Sequence, residues 1–151
     1  MARRMSEEFV TKSLIRWLMS SGWIIVCYDY PQSGIGKHLH PINTVSKTEG
    51  IIIPDIVAIK GTLVVHFENK NRFFLEDFNK VSYLKNTSDY DEAYSELLDG
   101  YKFTSIYYGV GMPYSPKNYS RSLSVAEKVD FMVFLKEDNS VQIVDNTGCL
   151  F

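Results

Sequence analysis

Between residues 6 and 21 the apolar positions Val10, Leu14, Trp17 and Leu18 recur at helical spacing, with Ser6 placed to cap the first turn and Gly22 to end the last. The spacing predicts an amphipathic helix. Residues 23–28, Trp-Ile-Ile-Val-Cys-Tyr, form a short β-rich run closed by Pro31, and residues 32–50 mix Gly, Lys, His, Asn and Ser without a period. A strand followed by a long loop is expected there. Residues 51–60 and 63–70 are two β-branched runs on either side of Gly61-Thr62, the signature of a compact hairpin. Residues 73–84 read as a helix, and a second helix follows Ser88-Asp89 with Ala93, Tyr94, Leu97 and Leu98 on one face and Gly100 at its end. Residues 103–110 return to β composition, 111–118 read as a loop holding Pro113 and Pro116, and 129–144 read as a second hairpin turning at Asp138-Asn139.

This order predicts an α/β fold, a mixed sheet flanked by helices, in a single domain spanning 1–151. A content of 45% hydrophobic and 14% aromatic residues is enough for a continuous core and excludes a disordered chain. The net charge of -2 argues against a protein whose whole surface clamps phosphates, although a local basic patch remains compatible with it. Cys27 and Cys149 show no zinc-site spacing and are read as free thiols. With no apolar run near the eighteen or so residues of a membrane span, a cytoplasmic protein is the expectation.

The first hairpin changes the picture, because a central apolar strand excludes charge unless the charge is paired or binds a metal. Asp55 opens one strand. On the other, Glu68 and Lys70 are two residues apart and share a face, with His66 before them and Asn69 pointing the other way. Antiparallel pairing brings Asp55 towards Glu68, so two carboxylates and an ammonium converge at one end of the sheet. Two carboxylates supply the hard oxygen ligands that Mg²⁺ or Mn²⁺ prefers, and the Asn69 backbone carbonyl could add a third. Such a metal would bind a phosphodiester oxygen and acidify an attacking water, while Lys70 stabilised the pentacovalent phosphorus or oriented that water.

Pro54-Asp55, a twelve-residue interval (56–67), then Glu68-Asn69-Lys70 resembles the signature of the PD-(D/E)XK, or restriction-endonuclease-like, superfamily. The first helix is similar to that family's leading helix, with Glu7 as the acidic residue near the metal and Glu8 less well phased. By pattern the resemblance covers roughly the first 85 residues. It implies a core of helix, three strands, helix and strand, and Mg²⁺-dependent phosphodiester hydrolysis. The expected protein is an endonuclease acting on DNA, with Asp55 and Glu68 as metal ligands, Lys70 as catalytic lysine and Glu7 as an auxiliary acid. So small a chain also suggests a homodimer or a partner subunit. The alternative is a catalytically silent nuclease-like module that binds nucleic acid or a protein partner. Lys37, His38, His40, Lys47, Asn71, Arg72, Lys80 and Lys85 are candidate phosphate contacts, each more simply read as a solvated polar residue. Tyr107, Tyr108 and Tyr114 are expected to pack rather than to stack on bases.

Overall fold

In the computed structural model, which describes residues 5–42 and 50–151, Ser6 caps the first helix, α1 (Glu7–Ser20), by accepting a 3.1 Å hydrogen bond from the Phe9 N–H. The chain leaves α1 through Gly22 at φ 91°. It then enters β1 (Ile24–Tyr28). Next come β2 (Ile56–Lys60) and β3 (Leu63–Asn69), joined by the expected two-residue turn with Gly61 at φ 61°. α2 (Leu75–Asn86) and α3 (Asp91–Leu97) follow, then β4 (Ser105–Pro113), α4 (Pro116–Leu123), a 3-10 turn (Ala126–Lys128), β5 (Phe131–Leu135) and β6 (Val141–Asp145).

The six strands form one mixed sheet in the order β1-β2-β3-β4-β5-β6. Both hairpins are antiparallel, while β3, β4 and β5 run parallel to one another through helical crossovers. This is the mixed α/β arrangement that the element order predicts. One face buries Val10, Leu14 and Leu18 of α1 against Ile56, Ala58, Val65, Phe67 and Phe131. The other buries Phe78, Val81 and Leu84 of α2, with Tyr94 and Leu98, against Val57, Ile59, Val64, Val110 and Met112. Covered on both sides, β3 is buried along its length except at Leu63.

Three local expectations are corrected. Residues 51–55 do not extend β2: Ile52 instead forms an isolated bridge with Leu39, and Pro54, which has no N–H to donate, ends the ladder. The second helix starts two residues later than its apolar spacing suggests, because Phe74 is extended at φ -136° and its neighbour Phe73 donates its N–H to Asn118 Oδ1. Residues 111–118 are not a loop. β4 runs on to Pro113, and Ser115 caps α4 by accepting from the Asn118 N–H, with Pro116 at the first helical position. Among the described residues no helix is long and apolar enough to cross a membrane.

Candidate functional site

The hairpin delivers Asp55 and Glu68 to the same end of the sheet, at the carboxyl ends of the parallel strands β3 and β4. Asp55 precedes β2 and its Oδ2 accepts a 2.7 Å hydrogen bond from the Asn69 N–H, which ties its carboxyl directly to β3. Glu68 lies close enough for the two carboxyls to interact. Burial, reinforced by the charge on Glu68, pushes the Asp55 carboxyl up to about 9, so Asp55 is the protonated member of the pair. Burial opposes the charge on Glu68 too, but there the His66 hydrogen bond and Lys80 prevail and hold its carboxyl below the usual range. The pair thus shares one proton.

Lys80 reaches in from α2, with Nζ 2.7 Å from Glu68 Oε1. On the other side, the fully buried His66 lies with Nε2 3.4 Å from the same oxygen, and its Nδ1 meets the Tyr94 hydroxyl. An ionised Glu68 accepts only, so His66 donates to it through Nε2 while Nδ1 pairs with the Tyr94 hydroxyl. Lys70, just beyond β3, stands 3.5 Å from Glu7 Oε1 at the start of α1, both side chains being about one-third exposed (37% and 29%). Asp77 of α2 borders the cluster, and its burial raises its carboxyl to about 6.

The structure sets Asp55 beside Glu68 and Lys70 beside Glu7, with Asp77 close to both pairs, but the predicted metal centre is not formed. Among the described residues no group of three or more His, Cys, Asp or Glu side chains is arranged to hold a metal ion. The two expected carboxylate ligands are engaged by the protein instead: Lys80 neutralises Glu68, and Asp55 is protonated and bonded to a backbone N–H. Assigning Mg²⁺ or Mn²⁺ to Asp55, Glu68 and Asn69 is therefore corrected, and the reading as a Mg²⁺-dependent deoxyribonuclease falls with it.

Compared with protein-family models, curated proteins and solved structures, the chain has no match. Its site must be read from its own residues.

Lys80 and Asp77 are the members whose depth the sequence reading missed. Each stands four residues before a buried apolar residue of α2, Leu84 and Val81, so both lie on the stripe facing the sheet, where charge is out of place. Among the candidate phosphate contacts, Arg72 lies at this end of the sheet, with Cζ 4.8 Å from the Phe74 ring centroid; Lys70 Nζ is 5.6 Å from the same ring. Lys85 does not join them, being held 3.4 Å from Asp130 just before β5. Lys37, His38 and His40 line a separate cavity of about 540 Å³ with Glu92 and Glu96 of α3. Lys47 is outside the described residues. Tyr108 is buried beside His66 and Tyr107 packs towards α1, as expected, but Tyr114 is 37% exposed.

Proposed function

We propose that the protein is a catalytically silent, restriction-endonuclease-like module that binds DNA at the carboxyl ends of β3 and β4. The observation that carries this reading is the pairing of carboxylates with lysines: Lys80 on Glu68 and Lys70 on Glu7 supply the positive charge that a cleaving centre would take from a metal. The two pairs differ in kind. Lys80 to Glu68 is short and lies against a buried carboxylate, so it holds the centre together. Lys70 to Glu7 is long and solvated, worth little on its own, and a DNA phosphate can take the place of Glu7. Arg72 beside Lys70 makes a two-cation edge, and the carboxyl end of parallel strands is where α/β sheets receive ligands. Pairing with a second copy or a partner subunit belongs to the same reading and is measured by light scattering with and without DNA.

Fluorescence anisotropy of a labelled oligonucleotide tests the binding. The expected result is an affinity that falls steeply with salt, and a Lys70→Gln, Arg72→Gln double variant whose salt slope is shallower by about one for each cation removed. Plasmid incubated with the protein and Mg²⁺ or Mn²⁺ is expected to stay supercoiled. Absence of binding at low salt would overturn the reading, as would nicking that disappears in Asp55→Asn.

A further inference from the structure

We infer that the strand bound at this edge is single, with its unpaired bases stacked on Phe74 and Tyr114; this rests on the nucleic-acid reading above and narrows it. Two aromatic rings flank the carboxyl end of β4, and each carries a cation. Phe74 has Lys70 and Arg72 beside it, and Tyr114 has Lys136 Nζ 5.6 Å from its ring centroid. The rings belong to one framework. Phe73 donates its N–H to Asn118 Oδ1, and the Asn118 amide donates to the Pro113 carbonyl, so the segment entering α2 is bonded to the segment that carries Tyr114.

Tyr114 is held rather than loose: its N–H donates to the Leu135 carbonyl at 2.7 Å, and its ring packs on Tyr119 and Phe134 while staying 37% exposed. A fixed, part-open ring with a cation over it is a stacking platform, since every base offers a π face and every linkage a phosphate. In a duplex the bases are already stacked on one another. These rings would then contribute nothing, and only the cations would bind. The chain's net charge of -2 points the same way: it argues against a surface that tracks two backbones, whereas three cations set beside aromatic rings suit one.

The test compares labelled oligodeoxythymidine, oligouridine of equal length and a duplex of the same length, by anisotropy at one low salt concentration. The deoxy single strand is expected to bind at least about tenfold tighter than the duplex, whereas tight binding of oligouridine alone overturns the DNA reading and keeps the single-strand one. Phe74→Leu and Tyr114→Leu keep apolar volume but remove the π face. Each is expected to lower single-strand affinity about tenfold while the salt slope stays at the wild-type value and the far-ultraviolet circular dichroism spectrum shows the fold retained. Equal or tighter duplex binding overturns the inference and leaves the DNA-binding reading standing, as does single-strand affinity unchanged in both leucine variants. Failure of all three probes to bind overturns both.

Discussion

Asp55 shows how a carboxyl can be essential to a site while carrying no charge. Its folded-state pKa of about 9 lies above the ordinary aspartate value of 3.8, so the folded protein keeps a proton that the unfolded chain gives up. Stability from this residue is therefore full below about 4 and is lost as pH rises towards 9, at no more than about 1.4 kcal/mol per pH unit for one proton. Asp77 acts in the same direction but only up to about 6, and Glu68, whose folded value is lowered, loses its contribution only as pH falls below the ordinary glutamate range. Between pH 6 and 9 the Asp55 effect continues after those of Asp77 and Glu68 have ended. Asn in its place can still accept from the Asn69 N–H and donate to Glu68 without ionising. Urea denaturation of Asp55→Asn is accordingly expected to show a flatter decline of stability over that range than the wild type. The sequence makes Asp55, Glu68 and Lys70 legible because charge interrupts two apolar strands. It hides the partner that decides their role, since Lys80 lies on another element and only its position on the buried stripe of α2 marks it.

At the level of elements, α1 lies close to the sheet because β4 presents glycine to it. A Cβ on Gly111 would overlap Asn69 Oδ1 and Leu14 Cδ1, and one on Gly109 would overlap Phe131. Asn69 is buried and its amide is tied to Thr11 Oγ1, so moving Oδ1 aside would cost that bond. Gly111→Ala is expected to destabilise the fold by about 1–3 kcal/mol, read as a lower urea midpoint with an unchanged m-value. Strands and amphipathic helices with a clear period, such as α1 and the β2–β3 hairpin, are legible from the chain. α4 is not, because it is short and mostly polar, and the two prolines that suggest a loop instead close β4 and open the helix.

For the molecule as a whole, the sheet has a simple order: each strand lies beside the strands next to it in the chain. No strand has to be threaded between two already in place, so the sheet can grow by accretion as the polypeptide emerges. The β2–β3 hairpin closes over a two-residue turn and needs the least loop entropy, whereas β4 must wait for the crossover through α2 and α3. β6 comes last and stays at the rim. Pulse-labelled hydrogen exchange during refolding is expected to protect the amides of β2 and β3 first and those of β6 last; simultaneous protection of all strands would rule out stepwise growth. Asp55 and Glu68 would then be brought together early, before Tyr114 has a sheet to stand on. A chain released midway through synthesis would hold the paired carboxyls but not the platform beside them.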